Sequence, residues 1–184
     1  MAYTVIDINS NGLNTNFKLL TVNCQVANHF RQTLMRDIPT IAIDRVDVHE
    51  NDSPHHDEYI AHRLGLIPIW SDGSELEDKI QDTVIELHVH AINEVRNVTS
   101  GDFKSNNSIV PVDDDVLVCK LFKGQTLHLR AYIKSGTSKV HAKWCPITNV
   151  TWKLKEDHYL FSIETLGNID SKLLIEKAVE FLSI

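Results

Sequence analysis

Strand patterning recurs along most of this chain, whereas helical patterning is confined to three short stretches, and this division most constrains the fold. Segments rich in β-branched, leucine and aromatic residues predict strands at 3–7, 17–22, 40–50, 83–91, 116–121, 126–134, 147–154 and 159–165. Helical spacing of apolar residues predicts a first helix from Cys24 to Ile38, a short second helix after residue 56, and a third helix at the chain end. Sheets accompanied by few helices are therefore expected.

The terminal helix is more broadly apolar than packing on one small sheet requires. Asp170 or Ser171 can cap it. One apolar face is formed by Leu174, Ala178 and Leu182, and that face is widened by Ile175, Val179 and Phe181. A helix of this length, about 20 Å at 1.5 Å per residue, has more apolar surface than a small sheet normally covers. Part of the helix is therefore expected to contact another chain.

Charge and cysteine content argue against several classes of function. The formal net charge of −7 provides no overall positive field to hold a nucleic-acid backbone, so autonomous nucleic-acid binding is not expected. Three widely spaced cysteines, Cys24, Cys119 and Cys145, fit a reducing compartment better than a disulfide framework. The chain start lacks a signal-peptide pattern, and no segment approaches the roughly 20 apolar residues of a membrane span. An intracellular protein outside the membrane is expected.

The segment NDSPHHDEYIAHRLGLIPI, at residues 51–69, predicts a capped short helix that leads into a strand. Asp57 and Glu58 lie where a helix amino terminus favours negative charge, and a histidine and an arginine lie in the last turn, where positive charge is favoured. Gly65 follows at the expected left-handed cap position. Pro68 prevents the helix from continuing into the apolar exit.

The same segment resembles the signature of an RNA polymerase subunit family, which includes the eukaryotic third-largest subunit, its archaeal counterpart and the amino-terminal domain of bacterial alpha. That signature has Asn-x-Ser, then Asp-Glu, then Ala-His-Arg-Leu-Gly-Leu-Ile-Pro. The matching residues are Asn51, Ser53, Asp57, Glu58, Ala61, His62, Arg63, Leu64, Gly65, Leu66, Ile67 and Pro68. Because so many fixed positions agree within so short a segment, the resemblance is specific.

Four further segments resemble the family in order, so the resemblance covers nearly the whole chain. They are ANHFRQTLMRDIPTIAID at 27–44, TSGDF at 99–103, KVHAKWCPIT at 139–148 and ETLGNIDSKLLIEKAVEFL at 164–182. Two departures matter. Gln32 stands where relatives often have a second arginine, and the chain lacks the close-spaced cysteines that bind zinc or an iron–sulfur centre in some relatives. The expected protein is therefore a metal-free form without a cofactor.

Two residue clusters leave a metal site open as an alternative. The first cluster consists of Asp52, His55, His56, Asp57 and His62, whose imidazoles and carboxylates suit zinc or manganese. These residues lie on a loop and a helix cap, which argues against a metal site. The second is the acidic run 113–115, which resembles a magnesium site but is favoured as a solvated loop.

Catalysis and a contact patch are the remaining alternatives. Cys145 has His141 four residues earlier as a base, but no third group that would orient the histidine is evident. A small stand-alone enzyme using Cys145 or the histidine-rich loop is therefore the rival interpretation. The only local basic and aromatic patch contains Lys134, Lys139, His141, Lys143 and Trp144. Such a patch suits nucleic acid or protein, and the resemblance favours protein.

The resemblance implies an α+β fold of two domains. A discontinuous alpha-subunit-type dimerisation domain is expected at 1–45 and 146–184, with an inserted β-rich domain at 46–145. The implied function is that of a non-catalytic assembly platform of DNA-directed RNA polymerase in transcription. The implied partners are a smaller homologous subunit, which forms a heterodimer with this chain, and the second-largest and largest subunits. Localisation would be the nucleus, or the cytoplasm or virion if the polymerase is viral.

The resemblance also implies which residues serve assembly. The residues expected to contact the small subunit are Phe30, Leu34, Leu174, Ala178 and Leu182. The residues expected to contact the large subunits are Asn28, Arg31, Glu58, His62, Arg63, Lys143 and Trp144. No catalytic residue is expected in this chain, because the catalytic magnesium of the family belongs to the largest subunits.

Overall fold

The structure is a computed structural model that describes residues 4–21, 23–71, 80, 83–106 and 109–182. The strands are β1 Thr4–Asn11, β2 Asn14–Leu20, β3 Thr40–Asn51, β4 Val84–His90, β5 Arg96–Thr99, β6 Lys104–Ser105, β7 Leu117–Leu121, β8 Thr126–Gly136, β9 Ile147–Lys155 and β10 His158–Thr165. The helices are α1 Cys24–Arg36, α2 Asp57–Gly65 and α3 Ser171–Leu182, with short 3-10 turns at Ser100–Asp102 and Ala142–Trp144. The mixed α and β composition predicted from the sequence is confirmed.

The chain divides into two compact units. Unit 1 contains Met1–Thr40 and Gly136–Ile184, and unit 2 contains Ile41–Ser135. The chain passes between them within β3 and again near the end of β8. The assignment of unit 1 as a dimerisation domain stays a prediction.

Unit 1 packs two helices against an antiparallel sheet of order β1-β2-β10-β9. Phe17 and Phe161 stack with ring centroids 5.1 Å apart, and Phe30 of α1 meets both rings edge-on. Helix α1 begins after Asn23, whose side chain accepts a hydrogen bond from the Gln25 amide. Asp170 caps α3 in the same way, as predicted, by accepting from the backbone amides of the first turn.

Unit 2 is built on a sheet of order β3-β8-β4-β6, with β5 and β7 paired separately. Alternate residues of β8 and β4, such as Leu129 and Leu87, are buried, while their neighbours face outward. Strand β3 buries Ile41 and Ile43 but then turns Val46 inward, which shifts the alternation by one residue. The inward-outward alternation of this strand is therefore interrupted between Ile43 and Val46.

Three local results refine the sequence interpretation. Gly65 lies inside α2 and is not among the positive-φ residues, so the predicted left-handed cap is wrong. The helix instead ends at Leu66, whose amide bonds back to the carbonyls of Arg63 and Leu64. Strand β5, which was not among the predicted strands, contributes Val98 to the core. None of the described helices is both long and apolar enough to cross a bilayer.

Candidate assembly interface

The loop that precedes α2 is organised by signature residues. The Asn51 side chain donates to the His55 carbonyl at 2.9 Å and to Asp57 Oδ1 at 2.7 Å, and its oxygen accepts from the Ser53 amide at 3.0 Å. Asp52 accepts from the Thr126 amide at 3.1 Å, which ties the loop to β8. The Asn-x-Ser and Asp positions of the signature therefore shape the backbone that leads into α2.

Arg63 fastens α2 to its own unit. Its Nη2 donates to the Leu117 carbonyl at the start of β7, and its guanidinium lies 5.8 Å from the centre of the Tyr59 ring. Its Nε atom is buried without a hydrogen-bond partner among the described residues. The neighbouring Cys119 thiol is buried, which raises its pKa to about 11, while the charge of Arg63 acts in the opposite direction. Much of Arg63 is thus engaged internally.

The outer side of α2 presents a mixed apolar and charged surface to solvent. We call it the α2 surface, and it consists of Glu58, Tyr59, His62 and Leu66. Tyr59 is 46% exposed and Leu66 is 51% exposed, although the latter was expected in the apolar exit of the helix. The spacing of Tyr59, His62 and Leu66, three and four residues apart, places them on one helix face.

Beyond the helix, two paired segments expose further apolar side chains. The Trp70 amide donates to the Val110 carbonyl at 2.9 Å, and the Val112 amide donates to the Pro68 carbonyl at 3.0 Å. Trp70 and Val110 are both exposed. Sequence reasoning missed these residues, because an apolar residue in a strand-like segment does not reveal which face lacks a covering layer.

The predicted small-subunit contacts are mostly part of the core of unit 1. Four of them are fully buried, namely Phe30, Leu34, Leu174 and Ala178. Their side chains therefore cannot form the exposed part of a pairing surface, and the expected direct contact is corrected to a supporting position. Leu182 is partly buried at the edge of this core.

A groove in unit 1 lies between β1 and α3. Its lining residues are Thr4, Val5, Ile8, Ile175, Glu176, Val179 and Glu180. Val5, Ile8 and Val179 are only partly buried. Phe181, near the end of α3, is 45% exposed. At about 100° per residue, Val179 and Phe181 therefore lie on opposite sides of the buried face that Leu174 and Ala178 form.

The remaining predicted contacts of unit 1 have internal partners. Arg31 donates to Asn28 Oδ1 at 3.1 Å, and both side chains are partly exposed on α1. Trp144 is only 4% exposed, so its expected direct contact with a large subunit is corrected to a packing role. Lys143 Nζ lies 4.4 Å from the Trp144 ring centre. A methyl group on Gly136 would stand 2.6 Å from the Trp144 ring, so this glycine makes room for the indole.

The groups considered in the rival enzyme and metal-site interpretations make other contacts in the structure. Cys145 Sγ lies 3.2 Å from the Ile147 carbonyl and 3.5 Å from the Met35 carbonyl, while His141 Nδ1 accepts from the Lys143 amide. The side chain of Asp113 accepts from the Asp115 amide. Among the described residues, no group of three or more His, Cys, Asp or Glu side chains is placed to hold a metal ion.

Comparison with known proteins agrees with the family resemblance seen in the sequence. Residues 41–150 match the family described as the RNA polymerase Rpb3/RpoA insert domain. A "DNA-directed RNA polymerase subunit Rpo3" of Methanocaldococcus jannaschii is 35% identical over 156 residues, which cover 85% of this chain and 78% of that protein. A protein of the same description from Pyrococcus horikoshii is 41% identical over 138 residues, covering 71% of this chain. The "DNA-directed RNA polymerase II subunit rpb3" of Dictyostelium discoideum is 35% identical over 161 residues, covering 76%.

The lengths of these relatives differ from that of this chain. The matched regions span 51% of the Pyrococcus horikoshii protein and 53% of the Dictyostelium discoideum protein. The chain therefore spans about half the length of these two relatives. The match extends across both units, since residues 41–150 include all of unit 2 and the first part of the second segment of unit 1.

Proposed function

Because the chain belongs to the RNA polymerase Rpb3/RpoA insert-domain family, we propose that it is a non-catalytic assembly subunit of a multisubunit DNA-directed RNA polymerase. In this role it pairs with a smaller homologous subunit and docks the second-largest and largest subunits. Such a role requires surfaces for proteins and no reaction centre within the chain. Its location is intracellular, in the compartment where the polymerase transcribes.

The α2 surface is the proposed contact site for the large subunits. The loop network of Asn51 and the bond from Arg63 to the Leu117 carbonyl hold α2 in place, so its outer side chains are presented without a large ordering cost. Tyr59 is an amphipathic aromatic residue of the kind enriched at protein interfaces, and it is flanked by the charged Glu58. A rigid support with an exposed aromatic residue suits a contact that must form with defined geometry.

The groove between β1 and α3 is the proposed contact site for the smaller subunit. Its apolar lining, with Val5, Ile8 and Val179, suits an apolar helix or strand of the partner. Glu176 and Glu180 also line the groove and suit basic residues at the rim of such a contact. The buried residues of α1 and α3 then act by holding the groove in shape.

Replacing Ile8 and Val179 by aspartate tests the pairing site. The charges would enter an apolar contact, where burying an unpaired carboxylate costs several kcal/mol. Co-expression with the candidate small subunit should then yield no heterodimer, measured by affinity co-purification. Lys172→Asp, at an exposed position of α3, is the matched control and should co-purify normally. If a folded double variant pairs as well as this control, the groove is not the pairing site.

Replacing Tyr59 and Leu66 by aspartate tests the α2 surface. The variant should retain the small subunit but lose the second-largest subunit when the polymerase is reconstituted. Lys120→Ser, at an exposed position of the same unit, serves as the control. Normal assembly of the double variant would overturn the proposed role of this surface. Turnover of a substrate by the purified chain alone would favour the rival enzyme hypothesis.

A further inference from the structure

Strand β9, which spans Ile147–Lys155, forms one edge of the sheet in unit 1. Strand β10 pairs with one side of β9, and none of the described backbone groups pairs with the other side. An unpaired edge of this length presents a row of backbone amides and carbonyls that another strand can bond. The groove between β1 and α3 lies at the opposite edge of the same sheet, so β9 is a separate surface.

The turn between β9 and β10 determines which backbone groups of β9 point outward. Lys155 lies opposite His158 across a two-residue loop, so these two residues form a hydrogen-bonded pair. Hydrogen-bonded pairs recur at every second residue of an antiparallel ladder. The odd-numbered residues of β9 therefore bond to β10, and the amide and carbonyl groups of Val150, Trp152 and Leu154 point away from it.

The two faces of the sheet differ in chemistry at this edge. On the face toward the helices, Val150 and Trp152 pack against the core of unit 1. Leu154 lies on the same face by alternation, yet it is 52% exposed. On the other face, Lys153 and Lys155 are exposed, and neither ammonium group forms an ion pair within the described ranges of the chain. The edge therefore offers both apolar surface and positive charge to a partner.

We propose that β9 is a docking edge for an extended segment of a partner protein, which adds a strand to this sheet and alternates apolar with acidic side chains. Main-chain hydrogen bonds to Val150, Trp152 and Leu154 supply the attachment, as in other cases of strand addition. Residues that lie directly opposite each other on paired strands share one face of the sheet. Partner side chains opposite these three residues are therefore apolar, and the alternating acidic side chains lie beside Lys153 and Lys155.

Charge decides between the possible occupants of this edge. Lysine on an edge strand deters uncontrolled pairing, because a second basic strand would place like charges opposite each other. Antiparallel pairing of two copies of β9 centred on Lys153 or Leu154 would bring lysines face to face, whereas an acidic strand turns the same contacts into attraction. The turn residues Glu156 and Asp157 are themselves acidic, so Lys153, which is farther from the turn, is expected to dominate that attraction.

Binding of a synthetic peptide to the full 184-residue chain tests the docking edge. The probe peptide alternates valine with glutamate, one matched peptide has lysine in place of glutamate, and another has the same composition without the alternation. Amide hydrogen exchange, followed by nuclear magnetic resonance, is the measurement. The glutamate peptide should protect the amides of Val150, Trp152 and Leu154, which face solvent without it. The intervening amides bond to β10 and should be protected in both states, and neither matched peptide should change the exchange.

Reversal of the charges on β9 tests the chemistry of the partner. Lys153→Glu combined with Lys155→Glu should weaken binding of the glutamate peptide by at least about tenfold and should allow the lysine peptide to bind. Lys120→Glu combined with Lys123→Glu is the matched control, because it makes the same change in net charge at exposed positions of unit 2, and it should bind as the parent does. Leu154→Pro removes one outward amide without touching the ladder to β10, so it should also weaken binding. Melting temperatures of the charge variants should match the parent, since the changed side chains are exposed.

Several results would contradict the docking edge. One is the absence of the alternating protection in β9, and another is equal protection by the lysine peptide. Unchanged affinity in the charge-reversed variant would do the same. Protection of the same three amides in the chain alone, increasing with its concentration, would instead assign the edge to contact between two copies. None of these results bears on polymerase assembly, which is tested by the α2 and groove variants.

Discussion

Helices α2 and α3 carry the most informative residues of this sequence, yet the structure uses the two sets differently. In α2, signature residues such as Arg63 fasten the helix to its unit, while Tyr59 and Leu66 remain exposed. In α3, Leu174 and Ala178 lie fully in the core, while Phe181 remains exposed. In α2 the family signature supplies both kinds of residue, since Arg63 and Leu64 hold the fold while Glu58, His62 and Leu66 are exposed. In α3 the residues first named for pairing mainly hold the fold, and other residues of the helix are accessible.

A recognisable residue pattern can reflect internal packing or contact with a partner, and these two causes constrain a side chain to different degrees. A pattern persists where each side chain has little freedom, and buried packing or internal hydrogen bonds impose that constraint more strictly than a surface contact does. Surface contacts tolerate more variation, since only a few central residues dominate their energy. A signature therefore contains supporting residues as well as exposed ones, and it does not by itself separate the two.

Leu174→Asp should give the largest effect. Because this side chain is fully buried in unit 1, the variant loses apolar packing and buries a carboxylate, at a cost of at least about 4 kcal/mol. Chemical denaturation should show unit 1 unfolded or severely destabilised, together with a loss of pairing. A stable variant that fails only in pairing would restore Leu174 as a direct contact and break the comparison.

Gly136→Ala should give the second-largest loss of stability. The added methyl group would stand 2.6 Å from the Trp144 ring, and relieving that overlap is expected to cost about 1–3 kcal/mol. The expected result is a lower melting temperature with altered Trp144 fluorescence. Gly12→Ala provides a contrast, because it has open space around its Cβ position and a φ of +61°, so its cost comes from the backbone alone. Unchanged stability of Gly136→Ala would show that Trp144 can move outward.

Arg63→Ala should have a smaller effect on stability. It removes the hydrogen bond to the Leu117 carbonyl and the contact with Tyr59, for an expected loss of about 1 kcal/mol. Hydrogen exchange should accelerate in α2 more than in the sheet of unit 2. If assembly fails while exchange in α2 is unchanged, Arg63 contacts a partner directly. Arg63 would then differ from Leu174 of α3, whose role is to hold the core.

The smallest expected effect is a difference in alkylation rate between the cysteines Cys24 and Cys119. The pKa of Cys119 is raised by burial from 9.0 to about 11, so its thiolate forms only in strongly basic solution. At about pH 8, iodoacetamide should alkylate the exposed Cys24 first and Cys119 last, as measured by mass spectrometry. The neutral thiol contributes stability fully below pH 9.0 and loses that contribution as the pH rises toward about 11. Early labelling of Cys119 would show that α2 and β7 separate readily.

Much of the secondary structure was predictable because it depends on neighbours in the sequence. Segments rich in β-branched and leucine residues predicted β4 and β8, helical spacing predicted α1, and Asp170 caps α3 as expected. The family was recognisable for the same reason, since its signature lies within one continuous segment. The prediction of a left-handed conformation at Gly65 was wrong, because the helix ends at Leu66 with a negative φ.

Tertiary structure alone decided which apolar and polar residues are accessible. Leu66 and Leu174 look equally apolar in the sequence, yet one is 51% exposed and the other is fully buried. Likewise, His49, His88 and His128 are dispersed along the chain, and only the pairing of three strands brings their rings together. The sequence by itself determined the elements and the family, since local backbone preferences and short motifs are read within a few residues. Accessibility and long-range neighbours depend on which elements cover each other, and no short segment contains that information.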